Sequence, residues 1–181
     1  AINGRCLPLI ELKILPGEEG RLEEQVAALL DHYHGPFAVI GFNAQAHAWF
    51  FKHRPKFPRG LDGERLSDEA LAKTTLDLAY LFDGQVMLAQ PDFLLLDLES
   101  AAGTVGRRYR AEGLPVLGWT ARSPGEMAAY GAFCDNAGVA IFRNIEVRRA
   151  GYHGIGFTWD TDNAQVLVED FEPERLAVTV A

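Results

Sequence analysis

Cysteine is scarce in this chain: only Cys6 and Cys134 occur, far apart and without metal-ligand spacing. Neither a disulfide framework nor a zinc site is indicated, and the pattern is compatible with a reducing compartment, so a cytoplasmic location is expected. Long apolar runs are missing as well. None reaches the roughly 18 residues needed to span a bilayer, so no transmembrane segment is expected. Positive charge is in deficit, with 17 Lys and Arg against 25 Asp and Glu and a formal net charge of -8. A nucleic-acid surface would show clustered Lys and Arg, and the weak clusters at 52–59 and 107–110 read as solvated faces near or on predicted helices. Low-complexity segments and linkers are absent, and 181 residues fit one domain. The chain also opens on Ala1 without a methionine and runs almost at once into a strand, so a processed or truncated start is expected, with any targeting segment hidden.

What is present is organised around residues 7–15, Leu-Pro-Leu-Ile-Glu-Leu-Lys-Ile-Leu. In an extended strand alternate side chains share a face, so Glu11 and Lys13 project together while Ile10, Leu12 and Ile14 project oppositely. In a half-exposed antiparallel strand the two charges would simply face solvent. In a parallel sheet covered by helices the apolar face packs under a helix and the charged face points at whatever the sheet encloses.

Downstream, strands and helices alternate. Pro16-Gly17 makes a turn, Glu18, Glu19, Glu23 and Glu24 load a helix start where negative charge suits the macrodipole, and Leu22, Val26, Leu29, Leu30 and Tyr33 follow helical spacing. The run Phe-Ala-Val-Ile-Gly-Phe at 37–42 has strand length, with Asn43 as a fitting N-cap for a helix carrying Trp49 and Phe50. A short third strand is expected at 59–62, then a helix capped by Ser67 and running through Phe82, while 85–90 gives no clear signal. The apolar run Phe-Leu-Leu-Leu-Asp at 93–97 suits a strand buried on both faces, and 100–112 reads as one helix. A strand at 115–121 precedes Ser-Pro-Gly-Glu at 123–126, a capping box with proline at the first helical position. Met127, Tyr130, Phe133 and Cys134 form the expected buried stripe, and 139–145 the closing strand. About six such alternations predict an α/β fold, a parallel sheet with helical crossovers, over 1–146. Short strands and polar turns over 147–181 predict a β-hairpin or meander appendage.

These residues resemble the glycerophosphodiester phosphodiesterase family, a TIM-barrel group. The matching stretches are Leu-Pro-Leu-Ile-Glu-Leu-Lys, Gly-Pro-Phe-Ala-Val-Ile-Gly-Phe-Asn before a helix, Pro-Arg-Gly-Leu, Gln-Pro-Asp-Phe-Leu, and Gly-Leu-Pro-Val-Leu-Gly-Trp-Thr-Ala-Arg-Ser-Pro-Gly-Glu-Met, in order over about 7–145. The resemblance implies Glu11 as a ligand of a divalent cation, Mg2+ or Ca2+, and Lys13 as the catalytic positive partner of the phosphodiester. It also implies Trp119 and Phe42 in the substrate pocket. Divalent hard cations prefer carboxylate oxygens, and a cation plus an ammonium would stabilise charge developing on phosphoryl oxygens. Both aromatics stand at carboxyl ends of predicted strands, where barrel enzymes build their sites. Read without the resemblance, both are core residues.

The departures are as informative. The family's His-Arg strand, its Glu-x-Asp strand and its His-Asp pair belong before the Glu-x-Lys strand, and only six residues precede position 7 here. His53-Arg54 repeats two of those letters at a predicted helix end and is read as coincidence. A full barrel typically takes about 250 residues, so an incomplete barrel, the carboxyl-terminal portion of such a domain, is expected. Two functions follow. One is metal-dependent hydrolysis of a small-molecule glycerophosphodiester to glycerol 3-phosphate and an alcohol, weak or absent in this chain alone. The other is a non-catalytic partial barrel that homo-oligomerises or binds a partner across open sheet edges.

The remaining polar residues have plainer readings. His32 and His34 end a helix, where a cation suits the dipole. His47 and His153 lack a partner at metal spacing and are expected at the surface or in loops. Asp160-Thr161-Asp162-Asn163 reads as a polar turn. Asp97 and Glu99 share a face near a strand end, within reach of the site or serving a helix start.

Overall fold

The computed structural model describes residues 7–14, 17–121, 123–135 and 156–158. Five strands, β1 (Leu7–Glu11), β2 (Ala38–Gly41), β3 (Arg59–Gly63), β4 (Phe93–Asp97) and β5 (Val116–Trp119), form a parallel sheet. Helices α1 (Arg21–Leu30), α2 (Ala44–His53), α3 (Asp68–Ala72), α4 (Leu78–Ala89), α5 (Leu98–Ala102) and α6 (Thr104–Ala111) connect them, and α7 (Pro124–Tyr130) follows β5. Each crossover moves one strand along in the same direction, giving the order β5-β4-β3-β2-β1. Such a sheet has no reversal of strand order and hence no topological switch point.

The sheet curls into a half-barrel. In a flat sheet β2 and β5 would lie three strand spacings, about 14 Å, apart. Yet the rings of Phe42, just past β2, and Trp119, at the end of β5, meet edge to face with centroids 6.0 Å apart. Side-chain reach and strand curvature together close that gap. The concave face is lined by Leu9, Ala38, Ile40 and Leu95, with Phe93, Leu117 and Trp119 packed against them. The convex face carries two further clusters. Leu12, Val39, Ala27, Leu30 and Phe50 join β1 and β2 to α1 and α2, while Leu61, Leu94, Leu96, Phe82, Val105 and Tyr109 join β3 and β4 to α4 and α6.

Local chemistry explains most boundaries. Asn43 Oδ1 accepts from the backbone N–H of Gln45 and Ala46, as a cap of α2 should. Ser67 Oγ accepts from Ala70 N–H at the start of α3, and Ser123 Oγ from Glu126 N–H at the start of α7. Gly41 is required by space, since a Cβ there would stand 2.8 Å from the Leu12 carbonyl oxygen.

Four expectations need correction. The helix expected from Ser67 through Phe82 is two helices, because Asp77 caps a fresh start through Tyr80 N–H, and α4 runs on through the unassigned 85–89. The helix expected over 100–112 also breaks, at Gly103, whose N–H closes α5 onto Glu99 and Ser100 and whose extended backbone opens α6. On α1 the buried positions are Glu23, Ala27 and Leu30, while Leu29 is 74% exposed. Glu23 faces inward because its carboxylate accepts Gly20 N–H at 2.7 Å, tying down the helix start. His47 is not a surface residue but fully buried in α2, hydrogen-bonded through Nε2 to the Gly41 carbonyl.

Strand β6 (Gly156–Thr158) pairs antiparallel with β1, matching Leu7 to Thr158 and Leu9 to Gly156. The chain thus covers that edge itself. The expected closing strand at 139–145, the rest of the 147–181 appendage, His153 and the 160–163 turn lie outside the described residues.

Candidate functional site

The concave face of the half-barrel gathers the residues singled out in the sequence. Glu11 ends β1 and Lys13 lies two residues on, so both share the face of Leu9 while Ile10, Leu12 and Ile14 pack with the helices. Lys13 Nζ donates to Glu11 Oε1 at 2.7 Å, with the two side chains 49% and 21% exposed. An ion pair this accessible is worth at most about 1 kcal/mol, so another charge can displace it cheaply.

The register extends this constellation to β3. Glu11 is level with Ile40, and Ile40 with Gly60. One alternation further along β3 stands Asp62, paired with Leu95 of the concave cluster and so on the same face. Asp62 is 6% exposed, and its Oδ1 has no hydrogen-bond partner. Burial first, and then the neighbouring Glu11 charge, push its carboxyl well above the usual carboxylate range, with Lys13 opposing. The sequence reading reached Asp62 only as the end of a short strand. The signal was there: Gly60 and Asp62 alternate with Leu61 and Gly63, so a carboxylate stands on the strand face opposite the buried leucine.

Phe42 and Trp119 form the rim, Phe42 45% exposed and Trp119 partly buried with an unpartnered indole Nε1. The peptide bond between Trp119 and Thr120 is cis. Polar acceptors and an indole N–H therefore stand near an aromatic wall, at the carboxyl ends of parallel strands.

Other candidates are committed elsewhere. Asp97 caps α5: its Oδ1 accepts Ser100 N–H, and its Oδ2 accepts the Ser100 hydroxyl and Arg65 N–H. Glu99 sits exposed in the first turn of that helix. His53 closes α2 with Nδ1 against the Trp49 carbonyl, and Arg54 pairs with Asp31. His47 lies on the convex side, where burial lowers its pKa to about 4 and keeps the ring neutral.

Among the described residues no three His, Cys, Asp or Glu side chains come together as a metal-holding group. Glu11 and Asp62 do supply two electrostatically coupled carboxylates. That donor set suits a hard divalent cation that completes its shell with water or phosphate oxygens. Among the described residues, too, no helix is long and apolar enough to cross a membrane. Comparison of the sequence with protein-family models gives no match, and comparison with curated proteins gives none.

Proposed function

We propose that the concave face is part of the site of a TIM-barrel, metal-dependent phosphodiesterase acting on glycerophosphodiesters. The observation that carries this reading is the convergence of the Glu11–Lys13 pair and the Phe42–Trp119 contact at the carboxyl ends of one parallel sheet. In hydrolysis a water oxygen bonds to phosphorus, the bond to the alcohol oxygen breaks, and the proton ends on the released alcohol, leaving glycerol 3-phosphate. Glu11 would hold Mg2+ or Ca2+, which supplies Lewis-acid charge to the phosphoryl oxygens when bound. Lys13 presents its ammonium to the same phosphate, and Phe42 with Trp119 shields the glycerol side from water. The resemblance assigns proton transfer to histidines on earlier strands, and His47, turned to the helix layer, does not stand in for them. The 181 residues are therefore expected to bind the phosphate and turn it over weakly or not at all.

The test is tryptophan fluorescence during titration with glycerol 3-phosphate in Mg2+ or Ca2+, beside hydrolysis of glycerophosphocholine. Saturable binding lost in Lys13→Met and a signal lost in Trp119→Phe support the reading. No binding in either metal overturns it, and robust turnover overturns the assignment of catalysis to absent histidines.

A second reading, a self-associating partial barrel, is favoured by helix α4. Tyr80, Leu81, Met87 and Leu88 are exposed, and they lie four and three residues to either side of Gly84, beside which a Cβ would meet nothing. An antiparallel pairing of two such helices about Gly84 would set Tyr80 against Leu88 of a second copy and Leu81 against Met87, the self-complementarity a two-fold interface needs. Light scattering tests it: a concentration-dependent dimer abolished by Met87→Glu supports it, and a monomer at all concentrations overturns it.

A further inference from the structure

We infer that Asp62 is the second carboxylate of a divalent-cation seat shared with Glu11, and that Lys13 occupies that seat's charge until a cation arrives. The inference rests on the phosphodiesterase reading and deepens it. Four observations lead there. Asp62 pairs with Leu95 of the concave cluster and so shares the face of Leu9 and Glu11. Its Oδ1 is buried without a partner, where a carboxylate oxygen ordinarily finds one. The charges that act on it are those of Glu11 and Lys13. Asp97, one strand over, has both oxygens bound to Ser100 and Arg65, so an acid on this face can be satisfied by the fold, and Asp62 is not.

A carboxyl oxygen buried without a partner is costly, and a cation is a partner that satisfies it. The chemistry of the donors names the class. Two carboxylates with no histidine or cysteine among them select Mg2+ or Ca2+ over zinc, and Mg2+ is commonly held by one or two carboxylates plus substrate phosphate oxygens. Entry of the cation would release Lys13 from Glu11, turning its ammonium toward the phosphate. Cation and phosphate binding are thereby coupled through one side chain.

Isothermal titration with Ca2+ or Mg2+ alone, phosphate-free, tests this on the full chain. One cation per chain is expected, weakened at least about tenfold in both Glu11→Gln and Asp62→Asn. Lys13→Met is expected to bind the cation up to about fivefold more tightly, since it removes an exposed competitor. The melting temperature measured with and without Ca2+ guards against misfolding: the cation should raise it in the wild type and leave it unchanged in a folded Asp62→Asn. Wild-type affinity in Asp62→Asn with loss in Glu11→Gln overturns the role of Asp62 and leaves the phosphodiesterase reading standing. Absence of any cation binding by the wild type overturns both.

Discussion

Asp62→Asn should change how stability depends on pH, and the sign follows from the two groups that burial perturbs in opposite directions. The Asp62 carboxyl is raised by burial and by Glu11. Its contribution to stability is complete below the unfolded value near 3.9 and is lost as pH rises through the folded value, at about 1.4 kcal/mol per pH unit. His47 runs the other way. Its pKa falls from 6.5 to about 4 on burial, so the unfolded chain takes up the proton first and stability rises with pH between those values, by about 3 kcal/mol in total. In the wild type the two slopes oppose each other. In Asp62→Asn the His47 slope stands alone. With roughly 2–4 °C per kcal/mol for a chain of this size, the variant's melting temperature should climb by about 10 °C across that interval, and the wild type's by less. Calorimetry from pH 4 to 7.5 in a chelator gives the difference curve, in which titrations not coupled to Asp62 cancel. Lys13→Met, which removes the opposing cation, should carry the Asp62 loss to higher pH. Parallel curves for wild type and Asp62→Asn would refute the reasoning, because they would mean that Asp62 does not titrate abnormally in the fold.

Two further outcomes probe the scaffold. Phe50→Ala removes a fully buried ring packed against Phe57 and Trp49 and should cost about 3–5 kcal/mol in denaturant unfolding, whereas Leu29→Ala on the solvent side of α1 should stay within about 0.5 kcal/mol. Asp97→Ala should cost about 1–3 kcal/mol by leaving Ser100 and Arg65 N–H groups unpaired, and Asp97→Asn should recover part of it through its remaining side-chain oxygen.

The strands were legible because a parallel strand buried on both faces leaves a continuous apolar run, as in Phe-Leu-Leu-Leu, and because Glu11 and Lys13 interrupt β1 with period two. Helix starts were legible where the cap is a single side chain, as at Asn43, Ser67 and Ser123. What escaped depended on the surroundings. Helix α4 is apolar around most of its girth, so no stripe marks it, and Asp77 gains meaning only once Tyr80 N–H is seen on it. Gly103 ends one helix and begins another, which a periodicity count reads through. The burial of His47 follows from the Gly41 carbonyl, six residues back and on a different element. Asp62 needed the register, since only its pairing with Leu95 and the alignment of Glu11, Ile40 and Gly60 put it on the face of Glu11.

The antiparallel strand β6 has a consequence for how the molecule assembles in time. Its partners on β1 are about 150 residues distant along the chain, against about 30 for β1 and β2, so closing that contact costs about 1.5 kcal/mol more in loop entropy by the logarithmic rule. During synthesis the βα units can add one after another, each onto a neighbour already made, while the outer hydrogen-bonding groups of Leu7 and Leu9 wait for β6 to emerge. Of the described strands, β1 thus waits longest for its second partner. Until Gly156–Thr158 arrives, it remains the place where a nascent chain can meet another of its kind.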